Sequence, residues 1–217
     1  INTSLNIFDN VNFDLIYGRQ FQNIKEWEKE LQFGISLGSQ HLSLYQLTIE
    51  NNTAFGMLFD KGKLKGLPDE EMSRNYFFST NELCASQGFH AYEISNFARD
   101  GYRCKHNLNY WKCGNFLGIG PGAHGRYQFN ENRFSYYNNK GPEIWLKKAL
   151  KGELATSKRT TMSPSDHFEE FVLMGLRLSE GLNLSNIKKY FGARFNKNTI
   201  DELISSDFIV IDHDCLK

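Results

Sequence analysis

Residues 92 to 125, YEISNFARDGYRCKHNLNYWKCGNFLGIGPGAHG, form the most informative stretch of this sequence. His106 and Tyr110 are four residues apart, so both side chains lie on one face if the segment is helical. Between Gly118 and Gly122 every second residue is glycine, and a backbone without Cβ atoms can approach a flat or bulky partner closely. The clustering of histidine, tyrosine, asparagine and glycine favours a binding site over the simpler alternative, a glycine-rich turn beside core aromatics.

The composition of the 217 residues argues against several classes of protein. Lys plus Arg and Asp plus Glu number 25 each, so no overall field attracts nucleic acid or an anionic membrane. No apolar run approaches the roughly 20 residues that a membrane span needs, and no signal peptide opens the chain. We therefore expect a cytoplasmic protein with neither a nucleic-acid partner nor a membrane span. Because the chain starts at Ile1 rather than Met, we also expect an excised piece or the product of a broken gene.

The first part of the chain predicts an α/β fold. An apolar run, a helical repeat and a second strand with short loops form a βαβ unit, which requires a parallel sheet. Polar residues near the ends of these strands are typical of a barrel, whose chemistry lies at the carboxyl ends of its strands. The predicted elements are strands at Val11–Tyr17, His41–Leu47, Phe89–Ser95 and Phe116–Ile119, and helices at Ile24–Gly38 and Asp69–Gln87.

From about Gly141 the pattern changes to helices followed by one short strand. Predicted helices begin at Pro142 and Pro164, the second ending at Gly181, and two more cover Leu184–Phe191 and Thr199–Ile204. Phe208–Ile211 predicts a final strand, whose hairpin partner is expected beyond Lys217. This order is typical of a winged-helix domain. A DNA-binding face is not expected, and a structural or docking role is favoured, because the basic residues are too few: Lys188, Lys189, Arg194 and Lys197.

Three uncommon strings in the central stretch, YEISNFA, HNLNYW and LGIGPGAH, occur in one order and spacing. With them, the chain resembles the oxygen-independent coproporphyrinogen III oxidase-like family of radical-SAM proteins, above all its haem-chaperone branch, HemW. DLIYG, HLSLYQLTIE and EEFVLMGLRLSEGL extend the resemblance over nearly the whole chain. It implies that residues 1–140 are the second half of a partial (β/α)6, TIM-like barrel. It also implies that residues 141–217 are a truncated, winged-helix-like C-terminal domain of the HemN type.

The resemblance also implies a cofactor site. Asp14 and Ile16 of DLIYG, and Tyr45 and Thr48 of HLSLYQLT, match positions that contact S-adenosylmethionine, and His124 matches a residue near a second such site. From the residues alone, a cap or a barrel salt bridge is the favoured role of Asp14. The chain departs from the family at Gln20-Phe21, where a Pro-Gly pair is common, so the turn beneath the cofactor is expected to differ.

The family holds a [4Fe–4S] cluster with three closely spaced cysteines, and this sequence has no such triplet. Its four cysteines are Cys84, Cys104, Cys113 and Cys215. We expect the cluster ligands to lie outside this chain, and the polypeptide alone neither to assemble the cluster nor to cleave S-adenosylmethionine.

For haem, the resemblance points to His106, Asn107 and Tyr110, which match the His-Asn-x-x-Tyr motif of the chaperone branch. Imidazole and phenolate are both haem-iron ligands, and an asparagine can fix the imidazole tautomer. Trp111, Phe116 and the Gly118–Gly122 turn are expected to form the flat wall that a porphyrin needs. In the simpler alternative, His106 and Tyr110 only hydrogen-bond a loop.

Four further charged residues near the predicted barrel mouth are candidates for the site. Glu50 and Glu93 can serve as acid–base groups, or equally as ordinary ion-pair partners of neighbouring basic residues. Arg99 and Arg103 can meet porphyrin propionates through paired hydrogen bonds.

Three functions stay open at this point. The first is a haem chaperone that delivers haem to client proteins with the help of the missing N-terminal half of the barrel. The second is the oxidase that decarboxylates coproporphyrinogen by radical chemistry. The third is an inactive fragment.

Overall fold

A computed structural model describes residues 1–192 and 196–217, so Arg194 of the predicted basic group lies outside the described residues. The chain divides into two compact units, Ile1–Cys104 and Lys105–Lys217. This structural division differs from the boundary expected at residue 140, and the two predicted domains stay a prediction. No helix in the described ranges is long and apolar enough to cross a membrane.

The elements are numbered in chain order over the described residues. The helices are α1 Asn2–Leu5, α2 Ile24–Ser36, α3 Ala54–Asp60, α4 Glu70–Ser86, α5 Lys105–Trp111, α6 Pro142–Leu150, α7 Pro164–Gly175, α8 Leu184–Phe191 and α9 Lys197–Ser205. The strands are β1 Asn12–Tyr17, β2 His41–Gln46, β3 His90–Ala91, β4 Asn96–Ala98, β5 His124–Phe129, β6 Asn132–Asn138, β7 Thr156–Thr161, β8 Leu182–Asn183, β9 Ile211–Asp212 and β10 Cys215–Leu216.

The first unit contains the predicted βαβ core. Strands β1 and β2 pair in parallel, as predicted, within a sheet of order β1-β2-β4-β3. Helix α2 begins at a capping box formed by Asn23 and Glu26, and helix α4 is capped by Asp69, the first residue of the predicted helix. The apolar face of the sheet packs on these helices through Trp27, whose Nε1 donates to Thr80 Oγ1 on α4 at 2.8 Å.

The third predicted strand, Phe89–Ser95, is wrong. The structure instead has the short hairpin β3–β4, and β4 pairs with β2 in the antiparallel direction. The carboxylate of Glu93 accepts hydrogen bonds from the Ser95 backbone N–H and the Asn96 side chain. Such a local side-chain acceptor stabilises a turn in competition with a continuous strand. Helix α3, which the sequence did not predict, is capped by Thr53 Oγ1.

The second unit contains an antiparallel sheet of order β5-β6-β7, which the sequence did not predict. The predicted fourth barrel strand, Phe116–Ile119, contributes one isolated bridge to this sheet, between Phe116 and Arg126. The hairpin between β5 and β6 turns at Asn130, which has a positive φ of 52°. Asparagine tolerates this left-handed conformation better than most residues.

The last part of the unit combines helices with a small sheet of order β8-β10-β9. Helix α7 ends at Gly175, before the predicted end at Gly181, and the strand predicted at Phe208–Ile211 is β9, which begins at Ile211. The hairpin partner expected beyond Lys217 is β10, which pairs with both β9 and β8. The core of this part contains Leu182, Leu184, Ile187 and Leu216.

Candidate functional site

Three of the residues predicted to contact S-adenosylmethionine lie on one open face of the first unit. Successive strand residues point to opposite faces, so Asp14 and Ile16 share a face, and Ile16 lies opposite Tyr45 in the β1–β2 register. Ile16 is 46% exposed and Tyr45 is 41% exposed. Asp14 accepts a hydrogen bond from Asn12 Nδ2 at 2.8 Å. Thr48 follows the end of β2 and donates to the Gln46 carbonyl at 3.3 Å.

The same face carries a buried histidine whose environment the sequence did not reveal. His41, the first residue of β2, is only 3% exposed. Its Nδ1 lies 2.7 Å from Asn12 Oδ1, and its Nε2 lies 2.7 Å from the Tyr92 hydroxyl. Burial lowers the pKa of His41 below its ordinary value, and the carboxylates of Asp14 and Glu93 partly oppose this shift.

The two candidate acid–base carboxylates have different surroundings. Glu93 is buried and belongs to a hydrogen-bond chain, since Asn96 donates to it and also accepts from Ser43 Oγ at 2.9 Å. Glu50 is exposed, and its backbone carbonyl accepts from Thr53 Oγ1 at 2.7 Å.

The two arginines expected to meet porphyrin propionates both lie against aromatic rings. The Arg99 guanidinium lies 4.4 Å from the centre of the Phe89 ring, and the Arg103 guanidinium lies 5.9 Å from the centre of the Tyr92 ring.

The predicted haem motif lies on a helix of the second unit. His106, Asn107 and Tyr110 all belong to α5, so His106 and Tyr110 share a face, as their spacing indicated. Their ring centres are 4.8 Å apart at an interplanar angle of 69°. Tyr110 in turn stacks on Phe116, with ring centres 4.1 Å apart. His106 is exposed while Tyr110 is half-buried, so the imidazole is the more accessible group.

The expected flat wall beside this motif is divided between two places. Phe116 packs on Tyr110, but the Trp111 ring is covered by the Arg177 guanidinium, 4.4 Å from its centre. Gly118 and Gly120 line a separate groove of about 440 Å³, whose residues include Tyr127, Tyr136, Trp145 and Leu154. The Phe116–Arg126 bridge and the bond from the Gly118 N–H to the Tyr136 hydroxyl (2.8 Å) hold the segment on the sheet. His124, on β5, lies 5.8 Å from Tyr137 between ring centres.

The cysteines of the described ranges do not form a cluster site. Within these ranges no three His, Cys, Asp or Glu side chains are grouped to hold a metal ion. Burial raises the pKa of Cys84 to about 12 and that of Cys113 to about 11, so both thiols stay protonated. Because the described cysteines are not grouped, they do not supply the three neighbouring thiolates that a [4Fe–4S] cluster needs.

Comparison with known proteins agrees with the resemblance in the sequence. The family model described as the HemN C-terminal domain matches residues 162–217. A radical S-adenosyl methionine domain-containing protein 1, mitochondrial, from Dictyostelium discoideum is 35% identical over 100% of this chain and 55% of its own length. The heme chaperone HemW of Haemophilus influenzae is 34% identical over 92% of this chain and 50% of its own length.

The chain thus spans about half the length of the curated relatives that it matches. Its structure is similar to that of the coproporphyrinogen III oxidase HemN from Escherichia coli, a radical SAM enzyme, with a TM-score of 0.73 and 17% identity over 99% of this chain and 52% of that one. This confirms the predicted fold class, an α/β arrangement corresponding to the C-terminal part of a HemN-like fold. Over the half of these proteins that it spans, the chain is therefore similar to HemW and to the radical S-adenosyl methionine domain-containing proteins, and its residues 162–217 match the HemN C-terminal domain.

Proposed function

We propose that this chain carries the haem-binding part of a HemW-type haem chaperone. The observation that carries the proposal is the His106–Tyr110 pair on one face of α5, with ring centres 4.8 Å apart. Relatives in this family bear the name heme chaperone HemW. The order His-Asn-x-x-Tyr is present without interruption from His106 to Tyr110.

The two side chains suit haem in different ways. The exposed His106 imidazole offers a nitrogen ligand to iron without any movement of the helix. Tyr110 is held by its stack on Phe116. It therefore offers either its phenolate oxygen as a second iron ligand or a fixed aromatic edge beside the porphyrin. Asn107 is adjacent to His106 and is proposed to set the tautomer of the bound imidazole.

The family also points to S-adenosylmethionine and a [4Fe–4S] cluster as cofactors. The open face of β1 and β2 fits the first, because it places the Asp14 carboxylate near the apolar surface of Ile16 and Tyr45. A carboxylate suits a ribose hydroxyl, and apolar side chains suit an adenine ring. Thr48 and His124 stay proposed contacts. The cluster is proposed to be bound by cysteines outside this chain.

We further propose that the bound haem passes to client proteins. The cytoplasmic location of the protein stays a prediction. The alternative activity, an oxygen-independent oxidase, is distinguished by its product, because only the oxidase converts coproporphyrinogen propionates to vinyl groups with release of carbon dioxide.

Haemin titration followed by Soret absorbance tests the proposal. We expect His106→Ala to weaken haemin binding at least tenfold, and Tyr110→Phe to alter the Soret band. His213→Ala is the matched control, because His213 is an exposed imidazole (97% of its side chain) elsewhere in the same unit. If parent, His106→Ala and His213→Ala bind alike, the pair only holds α5 on its neighbours and the proposal fails.

A further inference from the structure

An unusual backbone conformation occurs in the loop that follows β1. Phe21 has a φ of 58°, in the left-handed region where a side chain is strained and glycine is not. Two hydrogen bonds fix the loop there: the Phe21 N–H donates to the Gly66 carbonyl at 2.7 Å, and Gln20 Nε2 donates to the Lys65 carbonyl at 2.7 Å. Gln22 Oε1 accepts from the Gly18 N–H at 2.8 Å and closes the turn from the other side.

The packing of the Phe21 ring does not account for this strain. The ring rests on Gly66, where an added Cβ would lie 2.4 Å from Phe21 Cδ1, so its orientation is fixed by a glycine with φ of 72°. Phe21 is nevertheless 75% exposed. A strained residue that gains so little burial is typical of a ligand contact, where the strain holds a side chain ready for its partner.

The loop that carries Gly66 adds positive charge beside the ring. Residues 61–66 are KGKLKG, and Lys61, Lys63 and Lys65 are all exposed. No ion pair within the described ranges involves any of the three. Because the two loops are joined by the bonds to Lys65 and Gly66, the aromatic ring and the lysine backbone form one rigid feature at the carboxyl end of β1. In parallel α/β folds this is the end where ligands bind.

We propose that Phe21 and the lysines of residues 61–66 form a docking site for the face of a planar porphyrin, with its propionates against the ammonium groups. A flat apolar ring beside several cations complements a flat apolar ligand that carries carboxylates. The choice of a porphyrin rests on the proposed haem function. The site itself rests only on the geometry and charge of the first unit, and it needs no iron.

The test uses metal-free protoporphyrin IX and the 217-residue chain, with binding measured by porphyrin fluorescence anisotropy. Phe21→Gly is expected to weaken binding about fivefold, the size of one aromatic stacking contact. The same variant is expected to raise the thermal midpoint by about 2–4 °C, because glycine removes the strain. Phe21→Trp should keep the affinity. Changing Lys61, Lys63 and Lys65 together to Ser should weaken the binding of protoporphyrin IX, which carries two carboxylates. It should leave the binding of the uncharged dimethyl ester unchanged.

Phe33→Ala is the matched control, because Phe33 is a similarly exposed phenylalanine (66%) on helix α2. Equal losses in Phe33→Ala and Phe21→Gly would overturn the proposal, as would an unchanged affinity in Phe21→Gly. Dependence of S-adenosylmethionine binding, but not of porphyrin binding, on Phe21 would also overturn it. Because protoporphyrin lacks iron, its binding does not depend on an iron ligand, so the failure of one proposal is distinguishable from the failure of the other.

Discussion

At the residue scale, His41 joins three segments of the first unit through both of its ring nitrogens. The neutral ring donates from Nδ1 to Asn12 on β1 and accepts at Nε2 from the Tyr92 hydroxyl, which follows β3. Asn12 donates onward to Asp14, the proposed ribose contact. Protonation of His41 would place a second donor at Nε2, facing a hydroxyl that now donates to it. The arrangement therefore favours the neutral imidazole.

This arrangement predicts a pH dependence of stability. The pKa of His41 is lowered in the folded chain from the ordinary value of 6.5, so near and below that pH the unfolded chain binds more protons. The contribution of neutral His41 to the free energy of unfolding should therefore be complete above about pH 6.5. It should decrease as the pH drops towards the lowered pKa. Chemical denaturation from neutral to mildly acidic pH measures this slope.

His41→Gln should reduce the pH dependence of the free energy of unfolding. It should also lower that free energy by about 1–3 kcal/mol at neutral pH, because buried partners lose a hydrogen bond. His167→Gln is the comparison variant. Burial, and secondarily the charge of Arg133, lower the pKa of His167 as well, so it contributes a separate part of the slope. An unchanged slope in His41→Gln would show that His41 does not titrate with unfolding.

At the element scale, the antiparallel sheet of the second unit depends on one close approach between its strands. Gly125 on β5 lies beneath the Tyr136 ring of β6, and an added Cβ would lie 2.1 Å from Tyr136 Cε1. The Tyr136 hydroxyl in that position accepts from the Gly118 N–H. The sheet and the glycine-rich segment are thus held together through this tyrosine.

Gly125→Ala should therefore destabilise the second unit by about 1–3 kcal/mol, because the ring must move and its bond to Gly118 is lost. In a Tyr136→Leu background the same change should cost clearly less, since the two residues are in contact. Gly141→Ala serves as the control, because a Cβ there meets its nearest neighbour at 3.4 Å. Equal costs in both backgrounds, measured by thermal unfolding, would contradict the account.

The sequence predicted the elements whose signals are local. Apolar runs and caps were sufficient for β1, α2, β2 and α4. The sheet from 124 to 161 was missed because Gly125 and many polar residues interrupt its alternation, although Tyr127, Phe134 and Tyr136 do alternate on one face. Likewise, the burial of His41 depends on Tyr92, 51 residues away, and no local pattern reports such a contact. For α5, the four-residue spacing predicted that His106 and Tyr110 share a face if the segment is helical, but the helix itself was not predicted.

At the scale of the whole molecule, β1 forms one edge of the sheet of the first unit. An edge strand presents unpaired backbone groups that can pair with another chain. We expect the 217-residue chain to self-associate with rising concentration. Ile16→Lys, which adds a charge beside this edge, should reduce the association in sedimentation velocity, whereas Phe33→Lys on α2 should not. A chain that stays monomeric at every concentration would contradict this prediction.

The central claim is that His106 binds the iron of haem. Electron paramagnetic resonance of the ferric haem complex, prepared from the chain with isotope-labelled histidine nitrogen, tests it most directly. The account predicts one histidine-ligated haem per chain and a hyperfine coupling from the labelled imidazole that disappears in His106→Ala and persists in His213→Ala. A histidine coupling that persists in His106→Ala, or a parent complex with none, would contradict the claim.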